Sequence, residues 1–312
     1  MRLAILAVVP LVAAAWCPEP GQPLARRNEC ADSLKVSWVP ESPREGSLFR
    51  VRVSGVPADA QLAGTAAGEP LHFTAVADEP STVESLAGAP VDGPDSLGIA
   101  ISCGAGEQRD TTAVRLGVTR GKFPVERLRV APAFGRQPDS ALAARIRRES
   151  ERAAEVATRS HETPQLWTEP FLLPRSSRIT SGFGGGREYN GTITSRHTGT
   201  DFAGATGAPI RATNRGVVRI VDSFYYGGNV VYIDHGAGLS SAYLHLSAQR
   251  VTPGDTVERG QIIGAVGATG RVTGPHLHFI VRYGRVTVDA MTLFDVAGEP
   301  EPPLRPPGTA KD

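Results

Sequence analysis

The chain of 312 residues is long enough for two ordinary domains of about 100 to 200 residues each. Hydrophobic residues make up 40% and charged residues 21%, a balance that excludes a disordered or membrane-embedded chain. With 33 basic against 32 acidic side chains the net charge is +1, so no global field draws the protein to nucleic acid, which is not expected as a partner.

In chain order, Met1-Arg2 precedes an apolar run, Leu3 to Ala15, that ends in small residues. This reads as an export signal over residues 1–15 and is too short for a permanent transmembrane helix, which needs roughly 20 residues. The expected location is therefore outside the cytoplasm, in the periplasm or on the cell envelope. Three cysteines follow, at positions 17, 30 and 103. In an exported protein two of them can pair. Cys17 fits a lipidated N-terminal cysteine poorly because the bulky Trp16 precedes it.

Between residues 29 and 130 apolar residues alternate: Leu34, Val36 and Trp38; Phe49, Val51 and Val53; Leu97, Ile99, Ile101 and Cys103; Val114, Leu116 and Val118. Period two signals half-buried strands, and the Pro-rich and Asp-Gly turns between them suggest an immunoglobulin-like β-sandwich. Cys30 and Cys103 either bridge its sheets or remain buried thiols. Residues 138–163 change character. Asp139 is placed to cap a helix carrying Leu142, Ile146, Ala153 and Val156 on one stripe, with arginines and glutamates forming a solvated face. Residues 165–297 return to short β segments and glycine turns, and 298–312 form a proline-rich tail expected to be disordered. The expected fold is mainly β, with a sandwich, one linking helix and a C-terminal antiparallel β domain.

Of seven histidines, five lie between positions 197 and 278, among carboxylates and glycine turns. His197 and Asp201 are four apart on a turning segment and can meet on one metal. Nitrogen and oxygen donors suit zinc. His276-Leu277-His278-Phe279 reads as a strand with both imidazoles on one face and the apolar pair on the other. Tyr243-Leu244-His245-Leu246 has the same grammar, with His245 opposite the leucines. His235 closes a strand before a glycine turn and reads as structural, and His72 and His161 read as structural or exposed. The run Gly182 to Gly186 lacks the residues of a phosphate loop and reads as a turn.

The segment from Trp167 to Phe294 resembles the lysostaphin/LytM family of zinc endopeptidases. The resemblance rests on Ser181-Gly182-Phe183-Gly184, His197 to Asp201, Val230 to Gly236, Tyr243 to Leu246 and Gly274 to Phe279. It implies one zinc ion held by His197, Asp201 and His278, with His245 and His276 as catalytic groups. It further implies hydrolysis of peptide bonds in peptidoglycan stems or cross-links. Such zinc activates water at neutral pH. No His-Glu-x-x-His helix supplies a glutamate base, so the two free histidines share that work, with their division of labour open. Loops carrying Asn190, Tyr226 and Asn229 are expected to wall the substrate groove. Arg187 either meets a substrate carboxylate or braces a loop. The competing reading is a non-catalytic wall-binding regulator that activates amidases. The N-terminal domain is a candidate contact for an envelope protein partner.

Overall fold

The computed structural model describes residues 29–297 except 106, 107, 135, 136 and 192. The predicted signal segment, Cys17 and the proline-rich tail lie outside the described residues. The N-terminal half holds a short helix α1 (Glu29–Ser33) and strands β1 (Lys35–Val39), β2 (Leu48–Ser54), β3 (Gln61–Ala66), β4 (Glu69–Pro70), β5 (Thr74–Ala75), β6 (Thr82–Gly88), β7 (Ser96–Ala105) and β8 (Gln108–Gly117). They form two four-stranded sheets, ordered β1-β2-β6-β5 and β4-β3-β7-β8. The predicted alternation is visible directly: Phe49, Val51 and Val53 of β2 and Leu97, Ile99, Ile101 and Cys103 of β7 are all buried in one core between the sheets. Cys30 and Cys103 form a disulfide. Since Cys30 sits in α1, the bond ties that helix to β7 and does not join the two sheets.

A connecting strand β9 (Val125–Leu128) and a 3-10 turn at Pro132–Phe134 lead into helix α2 (Ser140–Arg159). Asp139 caps α2 by accepting from the Leu142 N–H. The helix is less detached than its charge run suggests. Arg152 bonds Asp222 at 2.6 Å, Arg145 donates to the Ser223 carbonyl, and Glu149 accepts from the Tyr225 N–H.

The C-terminal half runs β10 (Ile179–Ser181), β11 (Gly186–Tyr189), β12 (Ile193–Arg196), β13 (Thr200–Ala203), β14 (Pro209–Arg211), β15 (Gly216–Phe224), β16 (Gly228–Gly236), β17 (Leu239–Leu246), β18 (Ala248–Gln249), β19 (Thr256–Val257), β20 (Ile262–Ala265), β21 (His276–Tyr283), β22 (Val286–Val288) and α3 (Ala290–Ala297). An antiparallel sheet ordered β10-β13-β21-β17-β16-β15-β19, with β22 beside β21, is its backbone. One face buries Val231, Ile233, Tyr243, Leu277, Phe279 and Val281 in the main core. The other is covered over β15 to β17 by Ala153 and Val156 of α2, which pack with Ile220, Tyr232, Ala242 and Ile280. Because both faces are covered there, β17 is buried along its whole length, including its polar residues Ser240, Ser241 and His245.

The two halves share surface. Leu48 and Leu86 of the sandwich belong to the main core of the C-terminal half. Leu48 donates its N–H to Thr292 Oγ1 at 2.9 Å, and the Tyr283 hydroxyl donates to the Pro70 carbonyl. Buried Glu69 accepts from His161 and Arg285, and His161 in turn bonds His72 at 2.8 Å. Burial pushes the His72 pKa down, and the neighbouring His161 adds to the shift. Both histidines, expected to be merely structural or exposed, thus join one half to the other.

Candidate metal centre and cleft

The site lies on the sheet face opposite the main core, beyond the reach of α2. Antiparallel pairing of β13 with β21 sets Asp201 opposite His278 and Ala203 opposite His276. Residues directly opposite share a face, so the Asp201 carboxylate and the His278 imidazole meet while Phe202 and Leu277 point into the core. His197 arrives from the turn after β12. Its backbone is clamped to the glycine run by bonds from the His197 N–H to Gly185 O and from the Gly184 N–H to His197 O, both 2.7 Å. His197, Asp201 and His278 are all buried, and their donor atoms lie within 4.8 Å of one another. Asp201 Oδ1 is 2.6 Å from His278 Nδ1 and 3.0 Å from His197 Nε2, and the two imidazole nitrogens are 3.0 Å apart.

His245 departs from the expected alternation. Strict period two would put it beside Tyr243 in the core, because Tyr243 pairs with Phe279 and Leu244 with His278. Instead β17 carries an extra residue against β16 between Tyr243 and Leu246, and His245 adopts φ +65°, a left-handed conformation rare outside glycine. The bulge turns His245 onto the face of His276 and His278, with ring centroids 5.0 and 5.8 Å away. It also separates Leu244, which packs under α2, from Leu246, which enters the main core. The leucines therefore do not share one face as the sequence suggests. Strained backbone of this kind is held only where the surroundings over-determine it.

Backbone carbonyls fix the imidazoles. His197 donates Nδ1–H to Gly182 O at 2.6 Å, His245 donates Nδ1–H to Thr269 O at 2.8 Å, and His276 donates Nδ1–H to Gly274 O at 2.8 Å. Each then presents its Nε2 lone pair to the site. His276 Nε2 stands 3.7 Å from Asp201 Oδ1. Burial would raise the Asp201 carboxyl, but the close contacts with the His197 and His278 imidazoles hold it far below the carboxylate range. Burial lowers His278 to about 4 despite its bond to Asp201. It lowers His245 to about 3, the charges of His278 and His276 adding to the effect. Asp201, His245 and His278 are thus in the form that ligates or accepts. The His197 lone pair aimed at a carboxylate oxygen is an arrangement that calls for a cation between them. Two imidazole nitrogens and one carboxylate oxygen, buried and closely convergent, fit zinc.

Arg187 does not reach outward to a substrate. Its Nη2 donates to Asp201 Oδ2 at 2.8 Å and to Ser181 Oγ at 2.9 Å, while Glu126 of β9 lies 3.5 Å from its Nε. Burial opposes its charge, and Asp201 restores it. The guanidinium therefore occupies the second carboxylate oxygen and leaves Oδ1 for the histidines. Asn190 is likewise committed, since its side chain bonds both the N–H and the carbonyl of Val130. The Asn229 amide donates to the Leu246 carbonyl. Tyr226 stacks on Arg271 in the cleft wall. The cleft itself runs between β9, the β11 segment and the 271–276 loop, with Asp201 and His276 at its floor. Strand β9 pairs in parallel with β11, Glu126 opposite Arg187, so the connection between the halves forms one wall. Thr269, Arg271 and Gly199 escape a reading of side-chain motifs. A Cβ on Gly199 would stand 2.8 Å from His278 Nε2 and 2.5 Å from Phe279 O, so only glycine admits the imidazole.

A His-Asp-His centre with two further histidines on an antiparallel sheet defines a metallopeptidase domain. Residues 195–290 match the model of Peptidase family M23, whose peptidases use zinc. It is 46% identical over 117 residues to peptidoglycan DD-endopeptidase ShyB of Vibrio cholerae, covering 36% of this chain and 27% of ShyB. It is 36% identical over 122 residues to lysostaphin of Staphylococcus simulans, covering 38% of this chain and 23% of lysostaphin. The chain spans about a quarter of the length of these curated relatives. A crystal structure of a putative peptidase M23 from Pseudomonas aeruginosa superimposes with a TM-score of 0.62 at 26% identity, covering 81% of this chain and 95% of that one. The likeness to that structure therefore extends beyond the M23 segment.

Proposed function

We propose that the protein is a zinc endopeptidase that hydrolyses peptide bonds in peptidoglycan stems or cross-links. The observation that carries this reading is the complete site: buried His197, Asp201 and His278 converging on one point, with His245 and His276 beside it. The named activities of relatives such as ShyB support the substrate class. His197 through Nε2, His278 through Nδ1 and Asp201 through Oδ1 would hold the ion. When bound, zinc supplies Lewis-acid activation of water and of the scissile carbonyl. His245 and His276, fixed through their Nδ1–H bonds, orient the attacking water at Nε2, accept its proton and return it to the leaving amine nitrogen. The bulge at His245 and the carbonyls of Thr269 and Gly274 keep those nitrogens aimed before substrate arrives.

The reading extends to the rest of the chain. The order β1-β2-β6-β5 against β4-β3-β7-β8 corresponds to the A-B-E-D and C′-C-F-G sheets of an immunoglobulin-type sandwich, which supports that assignment for the N-terminal half. The apolar run at residues 3–15 supports export to the cell envelope. The test is release of soluble muropeptides from purified sacculi by zinc-loaded full-length protein. His278→Ala and a chelated sample should release none, and mass analysis of the wild-type products identifies the bond. Zinc binding without release on several wall types overturns the enzymatic reading.

A further inference from the structure

The cleft holds a cation that the metal chemistry does not use. Arg271 lies on the 267–275 loop, two residues after Thr269, whose carbonyl fixes His245. Its Cζ stands 4.0 Å from the ring centroid of Tyr189 and 4.0 Å from that of Tyr226. These rings come from different walls, one from β11 and one from the turn between β15 and β16. The loop is locked against that turn backbone to backbone. The Arg271 N–H donates to Tyr226 O at 2.9 Å, and a Cβ on Gly270 would fall 2.3 Å from the Gly228 nitrogen.

A planar guanidinium stacked on both faces has only its in-plane N–H edge left for hydrogen bonding, and that edge matches a carboxylate bidentately. Among the described residues Arg271 has no carboxylate partner, whereas Arg187 beside it is neutralised by Asp201 and Glu126. Arg271 lines the same cleft as His276 and Asp201. We propose that Arg271 is a specificity-determining residue whose edge binds a free carboxylate of the substrate peptide near the scissile bond. The enzyme then prefers acidic over amidated peptides. This assignment rests on the peptidase reading above.

The test uses full-length, zinc-loaded protein on sacculi and on two synthetic cross-linked stem peptides, identical except that the carboxylates flanking the scissile bond are free in one and primary amides in the other. A charge-assisted bidentate contact predicts that wild type favours the free acid by about tenfold or more in kcat/KM, expressed mainly in KM. Arg271→Gln should bring the ratio close to one. Arg271→Lys should leave it intermediate, because an ammonium keeps the charge but lacks the fork. Tyr226→Leu, which retains the arginine and removes one ring, should lower the preference severalfold and covers the case in which Arg271→Gln folds poorly. Cutting of sacculi with equal rates on both peptides, or a preference that survives Arg271→Gln, overturns the assignment while leaving the peptidase reading standing. No cutting of sacculi or of either peptide overturns the peptidase reading, and the assignment with it.

Discussion

At the scale of single residues, the groups around His197, Asp201 and His278 govern the centre as much as those three residues do. Arg187 holds Asp201 Oδ2 at 2.8 Å, so Arg187→Ala should free that carboxylate to rotate and weaken zinc binding by about 10- to 100-fold, read by competition with a chromophoric chelator. Gly199→Ala should push β21 and its His278 imidazole away from the 197–201 segment, at a cost of about 1–3 kcal/mol, and release zinc; melting and metal content measure both. Away from the centre, His235 donates Nδ1–H to Arg215 O and accepts at Nε2 from Ser241, entirely buried. Burial lowers its pKa to about 4. Between the unfolded value of about 6.5 and about 4 the unfolded chain binds the extra proton, so stability falls as pH drops through that window, by up to about 3 kcal/mol. His235→Gln should flatten that part of the melting temperature against pH.

At the scale of elements, legibility followed side-chain chemistry. Strands β2 and β7 were readable because large apolar residues, Phe49, Val51, Val53 and Ile99, Ile101, Cys103, alternate with arginines in one and with small residues in the other. Strands β3 (Gln-Leu-Ala-Gly-Thr-Ala) and β6 (Thr-Val-Glu-Ser-Leu-Ala-Gly) were not, because small and polar residues take the places where large apolar ones would mark a face. Spacing put His276 and His278 on one face of a strand and His197 near Asp201, whereas the full five-residue set with its roles came from the family resemblance. Its supports were hidden. Carbonyls of Gly182, Gly274 and Thr269 have no side-chain signature, and the bulge at His245 inverts the face that alternation assigns. The Cys30–Cys103 bond closes a separation of 73 residues, and reduction should destabilise the sandwich by about 4 kcal/mol on chain-entropy grounds, visible as a drop in its melting temperature under reductant.

At the scale of the whole molecule, the two halves are joined by apolar burial and by polar contacts whose partners are far apart in sequence, which no local pattern reveals. Asp92 accepts two bonds from Arg196, both 2.7 Å, and Leu48 sits in the other half's core. Leu48→Ala should therefore cost about 2–5 kcal/mol and destabilise both halves together, seen as a shift of the entire calorimetric transition. Two separated transitions, with only the first moved, would contradict this.

Strand β9 gives the molecule an unusual kind of modularity. It belongs to the connection between the halves, yet it pairs with β11 and brings Glu126 to Ser181 and Arg187. The C-terminal half is consequently not a self-sufficient cassette: a fragment beginning at residue 165 would contain His197, Asp201, His245, His276 and His278 but would lack one bank of its own cleft. Transplanting that fragment onto another carrier should preserve zinc stoichiometry while altering which peptides are accepted, and restoring residues 118–164 should restore the original preference.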